Sequence, residues 1–150
     1  KELEDIIGFI SSREGDFRHL SGLDMYRERR EIIAAIYYKT TSDINTAFED
    51  FIRMHNEVKH EEQLLSEKLD VKIIFDESAI DSIIGQAIEA GRDPGPYTFY
   101  LAKKLEYGLK LVKDRAGIDE FVLSSEAITN MEGYINGLLK KYYREHFIAE

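Results

Sequence analysis

The chain has 150 residues, enough for one domain, or one domain with an appendage, to bury a core without disulfide or metal. Its 29 acidic and 20 basic residues give a net charge of −9, and no Lys/Arg run is long enough to follow a phosphate backbone, which argues against nucleic acid as a partner. With 33% charged and 43% hydrophobic residues the chain reads as compact rather than disordered, and the lack of cysteine rules out a disulfide framework and thiolate chemistry and agrees with a cytoplasmic location.

Apolar runs such as Ile32 to Tyr38 fall far short of the roughly 20 residues that cross a bilayer, so no membrane segment is expected. The first residue is Lys1 rather than Met and no signal-peptide pattern follows, from which we expect a processed product or a piece of something longer.

Leu3, Ile6, Ile7 and Ile10 recur at helical spacing and predict a short amphipathic helix ending near Ser11 and Ser12. A polar loop is expected through Gly15 and Gly22. From Asp24 the stripe Tyr26, Arg30, Ile33 and Tyr37 predicts a helix to Lys39. Ser42 is the expected N-cap of a long helix, whose stripe Ile44, Ala47, Phe48, Phe51, Ile52, His55 and Val58 continues through Leu65 to Leu69. Such a helix of about 27 residues would be roughly 40 Å long.

Val71 to Phe75 turns β-branched and aromatic in a run too short for a helix, and predicts a strand. Asp76 then caps a helix with the face Ile80, Ile83, Ile84, Ala87 and Ile88, stopped at Gly91. Pro94 and Gly95 are read as a turn, with Pro96 at the first helical position, where a missing N–H costs nothing. The helix that follows carries Leu101, Leu105, Leu109 and Val112, with Gly108 on the same face allowing close approach, and ends near Ala116 and Gly117. Phe121 to Leu123 is a second short strand, and Ser124 or Ser125 caps a last helix with the stripe Ile128, Met131, Ile135, Leu138, Leu139 and Tyr142.

The expected fold is therefore mainly α, a helical domain whose two short strands form a small edge ribbon. Residues 1–40 are read as a helical N-terminal extension. Residues 41–150 are read as the main domain, with strands near 71–75 and 121–123.

Chemistry is sparse. Glu57 and His60 have the Glu-x-x-His spacing of carboxylate-bridged metal helices. Their nearest echo, Asp16 and His19, falls in the expected loop, and no metal site is assigned. His55, on an apolar stripe, reads as a core or interface histidine. There is no phosphate-binding loop, nucleophile elbow or zinc helix, so no catalytic residue is assigned. Tyr97, Phe99 and Tyr100 cannot all face one way on a helix, so one or two of them are expected to be exposed or covered by a partner, with Phe99 and Tyr100 assigned to an interface.

The order long helix, strand KIIF, the phrase FDESAIDSIIGQAI, a glycine-containing turn opening a helix, and a strand near EFVL resembles the C-terminal small domain, or lid, of Clp-type AAA+ unfoldases of the ClpX and HslU kind. The resemblance covers roughly residues 45 to 125. In that family the turn carries the sensor 2 arginine, which reaches the nucleotide phosphates. Here the turn is Gly95-Pro96-Tyr97-Thr98, so Tyr97 stands where the arginine would be, and Arg92 lies three residues before the glycine.

The resemblance implies a nucleotide-facing turn of Arg92, Gly95, Pro96 and Tyr97. It also implies a lid that transmits ATP-driven motion to neighbouring subunits of a homo-oligomeric ring, with ATP and magnesium held by a core absent from these residues. The isolated chain is expected to need no cofactor. The alternative reading is a free-standing helical interaction module with no nucleotide role. A metal-dependent helical enzyme using Glu57 and His60 is the third.

Overall fold

The structure, a computed structural model, describes residues 2–40 and 43–145. Among the described residues eight helices and two strands run in the order α1 (Glu2–Ser12), α2 (Glu14–Ser21), α3 (Arg27–Thr40), α4 (Ile44–Leu69), β1 (Lys72–Phe75), α5 (Glu77–Glu89), α6 (Pro94–Ala116), β2 (Glu120–Leu123), α7 (Ser125–Thr129) and α8 (Met131–Tyr143). The protein is mainly helical, with one small sheet. Its packing divides into two compact units, Lys1–Asn56 and Glu57–Glu150, with the boundary inside α4.

In the first unit α1 packs on α2 and α3. The segment expected as a loop between Gly15 and Gly22 is instead α2, and Asp16 and His19 are helical. Its single buried residue, Phe17, meets the rings of Phe48 and Phe51 edge-on at 5.2 and 5.9 Å. Glu14 and Asp16 in its first turn and Arg18 and His19 in its last suit the helix dipole. Gly22, at φ 72°, supplies the left-handed stop. One aromatic in eight residues is too little periodicity to betray such a helix, because tertiary burial of that ring holds it.

The expected cap Ser42 lies outside the described residues. Within them Asp43 caps α4, its Oδ1 accepting from the Thr46 amide at 2.9 Å.

The second unit is organised by β1 and β2, which pair in parallel, Lys72 opposite Glu120 and Phe75 opposite Leu123. Parallel neighbours need a crossover, here supplied by α5 and α6. Ile73, Phe75, Phe121 and Leu123 are buried, as are Ile80, Ile83 and Ile84 of α5 and Leu101, Leu105, Leu109 and Val112 of α6. The other edge of β1 is closed by side chains of α4 rather than by a third strand. Ser66 Oγ accepts from Ile73 N at 3.0 Å and donates to Ile73 O at 3.2 Å, and Glu62 Oε2 accepts from Phe75 N at 2.6 Å.

Asp76 caps α5 as expected, accepting from Ala79 N at 2.9 Å. Gly91 ends it at φ 67°, with Arg92 N donating to Ala87 O at 2.9 Å.

Two boundaries differ from expectation. α6 begins at Pro94, not Pro96, so Pro94-Gly95-Pro96 is its first turn rather than a turn before it. A proline tolerates these positions because their N–H groups have no intrahelical acceptor. The last helix is two helices, broken at Asn130 (φ −141°, ψ 68°), whose side chain accepts from Gly133 N at 3.2 Å and so starts α8. Gly133 leaves the room for this cap, since a Cβ there would collide with the Asn130 side chain. Ser124 precedes α7 without making a side-chain cap bond.

Gly108 sets the approach of α6 to α8: a Cβ at that position would lie 2.8 Å from Ile135 Cγ1. Gly108→Val is expected to push α8 off α6 and cost about 1–3 kcal/mol, read as an earlier denaturation midpoint. An unchanged midpoint would show that Ile135 yields freely.

Candidate functional site

The residues singled out around the α5–α6 junction form one corner of the second unit. Asp93 is in extended conformation at the N-cap of α6, but its side chain makes no cap bond. The capping carboxylate comes from α4: Glu57 Oε2 accepts from Gly95 N at 3.2 Å. A negative charge is favourable there, against the positive end of the helix dipole.

The first three positions of α6 thus offer no free amide. Pro94 and Pro96 have no N–H, and Gly95 is bonded to Glu57. Tyr97 N already closes the first helical bond to Asp93 O at 3.0 Å. A phosphate brought to this turn would meet a carboxylate and no free donor in those positions, leaving Arg92 as the nearby cation. Glu57, weighed in the sequence as a metal ligand beside His60, is committed to Gly95, while His60 is exposed. Among the described residues no three His, Cys, Asp or Glu side chains are grouped to hold a metal ion.

Tyr97 is half-buried, and its hydroxyl donates to Gln86 Oε1 at 3.0 Å, tying α6 to α5. Phe99 and Tyr100 are exposed. Cations lie over these rings. The Arg92 guanidinium sits 5.5 Å from the Tyr97 ring and 5.2 Å from Tyr100, Lys104 Nζ 4.5 Å from Tyr100, and Lys103 Nζ 5.1 Å from Phe99. The pairs Phe99–Lys103 and Tyr100–Lys104 are at i, i+4, the spacing that makes helix neighbours. That spacing is legible in the sequence, whereas the arrival of Arg92 over two rings is not.

Lys104, as hydrogen-bond donor and as charge, holds the Tyr100 phenol below the usual tyrosine range. Burial, with the Glu126 carboxylate adding to it, pushes the Tyr134 phenol up. In a titration followed by ring resonances, Tyr100 should therefore ionise before Tyr134. Lys104→Met should move Tyr100 upward and leave Tyr134 in place; a Tyr100 curve indifferent to that change would contradict the assignment.

Beside this corner runs an open groove of about 630 Å³ between α6 and the α7–α8 turn. Leu101, Leu105, Ile128 and Ile135 form its apolar floor. Tyr97, Tyr100, Lys104 and Tyr107 stand along the α6 lip, with Glu132 and Asn136 opposite. α8 buries none of its side chains completely, so Tyr134, Leu138, Leu139 and Tyr142 stay half-covered.

No helix among the described residues is long and apolar enough to cross a membrane. Compared with protein-family models, with curated proteins and with solved structures, the chain gives no match.

Proposed function

We propose that this chain is a non-catalytic lid-type domain of an AAA+ ATPase of the protease-associated unfoldase kind, which transmits ATP-driven motion between subunits of a homo-oligomeric ring. The observation that carries the reading is the order α4–β1–α5–α6–β2, in which the two strands pair in parallel and α5 and α6 form the crossover that joins them. This is the element order of the resemblance, and from Glu57 onward it lies within one compact unit. Fold likeness by itself does not assign function, so the reading also rests on what the corner can do. With Tyr97 bonded to Gln86 and Glu57 on Gly95, α5, α6 and α4 are linked at the turn, and the lid would act by moving as a piece rather than by donating to a phosphate. ATP and magnesium would belong to a core with its own phosphate-binding loop, and a cytoplasmic location goes with that assignment.

The test is the reading frame upstream of Lys1. The expected result is a Gly-rich phosphate loop with its Lys-Ser/Thr pair, together with ATPase activity in the full-length product and none in this chain alone. A start codon directly before Lys1 would overturn the reading. It would favour a free-standing interaction module, for which the specific observation is the half-covered apolar stripe of α8.

A further inference from the structure

The two-stranded sheet is sealed on one side only. Alternate residues of a strand turn their N–H and C=O groups to opposite sides, and in this pairing Phe121 and Leu123 are the residues of β2 that face β1. Glu120 and Val122 therefore direct their N–H and C=O groups outward, and among the described residues nothing bonds them. Both residues are exposed, Val122 although it is apolar. Proteins commonly guard such a margin with lysine, proline or a bulge. β2 has none of these: its register with β1 is unbroken, and its one charge is Glu120.

The outer face of the sheet shows what a third strand would continue. Ile74 lies opposite Val122 in an apolar row, and Lys72 opposite Glu120 in a charged one, with Lys72 Nζ 3.9 Å from Glu120 Oε1. The next side chain is matched by an apolar residue in the first row and by a cation in the second. The surroundings have the sign of Glu120. Asp119, the residue before it, lines one recess with Glu67 and Asp70, where Lys72 is the only cation, and among the described residues neither Asp70 nor Asp119 has an ion-pair partner.

We propose that the open margin of β2 binds an extended basic segment of a protein partner as a third strand, with Lys or Arg beside Glu120 and a β-branched side chain beside Val122. The outward backbone groups select an extended chain, because another strand presents donors and acceptors at the matching interval. Charge selects its sign. The local carboxylates and the net charge of −9 both attract a basic segment, and both repel nucleic acid, anionic lipid and acidic segments. They also disfavour a second copy, whose own β2 would bring another Glu120 to the same margin. The inference does not depend on the lid reading, because every group it uses lies in this chain.

The experiment is selection of a displayed random octapeptide pool on the purified chain, followed by anisotropy titration and amide exchange with the synthesised winners. The expected result is enrichment of Lys or Arg alternating with Val, Ile or Thr, with binding that weakens in salt. Bound winners should slow exchange at the Glu120 and Val122 amides, while those of Phe121 and Leu123, already in the ladder, change little. Glu120→Lys should lower affinity at least about tenfold. Val122→Pro should lower it similarly, since it removes an outward donor that β1 does not use. Circular dichroism of Glu120→Lys, at an exposed position, should match that of the parent, so its loss of binding would not reflect unfolding even if the proline disturbed β2. The proposal is overturned by no enrichment, by winners that are acidic or purely apolar, or by binding that survives Glu120→Lys or leaves the Glu120 and Val122 amides unprotected. Self-association of the chain that disappears in Val122→Pro would also overturn it, by making the occupant a second copy.

Discussion

Arg29→Ala is expected to destabilise the unit of residues 1–56 by about 3–4 kcal/mol, the range of truncating a large, fully packed side chain. Arg29 has no exposed surface, although it carries a charge. Nη1 donates to Asp24 O at 2.9 Å, and the guanidinium lies 4.9 Å from the Tyr26 ring and 5.2 Å from Phe51. Its charge-assisted bond and its buried cation–π contacts therefore both help join the segment before α3 to α4. Arg29→Lys should recover only part of the loss, because an ammonium lacks the planar, weakly hydrated face that a guanidinium offers to aromatic rings. Arg29→Met keeps the stem and should fall between alanine and lysine if packing dominates. Urea titrations of the three variants check the order, and a loss below about 1 kcal/mol for alanine would show that the burial is incidental to stability.

The second large effect is expected at Glu62. Glu62→Ala should cost about 2–3 kcal/mol, since it strands a buried strand amide, Phe75 N, and removes the partner of Lys59. The Lys59 pair contributes the smaller part, because Lys59 is substantially exposed. Glu62→Gln retains an acceptor oxygen and should lose much less. Hydrogen exchange distinguishes this from a general loss of stability: the Phe75 amide should lose protection in Glu62→Ala beyond that of its neighbours in β1. Equal losses for alanine and glutamine would show that charge, not the hydrogen bond, is what matters there.

What could be read from the sequence was whatever is local. Asp76 before a helical stripe, Gly91 and Gly117 after one, and KIIF between two helices each declare themselves within a few residues, and Gly108 on a buried face announced a close neighbour. The unreadable parts depend on residues far apart in the chain. α2 exists because Phe17 finds Phe48 and Phe51, and α6 can begin at Pro94 because Glu57, 38 residues earlier than Gly95, caps it. Arg29 looks like one more charge in an Arg/Glu run, and only the fold brings it to the rings of Tyr26 and Phe51. At the candidate site the aromatic surplus is visible in the sequence, whereas the cations that face it belong to different parts of the chain. Lys104 could have been placed by i, i+4 spacing, whereas Arg92 reaches the rings through the geometry of the Gly91 stop.

The side-chain closure of β1 by Ser66 and Glu62 also governs how this sheet can fail. The pairing of Lys72 N with Asp119 O and of Asp76 N with Leu123 O turns the amides of Glu120 and Val122 away from β1, so the ladder has one sealed margin and one open. A template with a single open margin can accept one more strand but cannot hand growth on through its far side. Two molecules meeting edge to edge at β2 would cap each other in a finite four-stranded pair, whereas cross-β fibres require both margins of every layer. The hydroxyl of Ser66 and the carboxylate of Glu62 thus do at one margin of β1 what a third strand would otherwise do, satisfying the Ile73 and Phe75 amides.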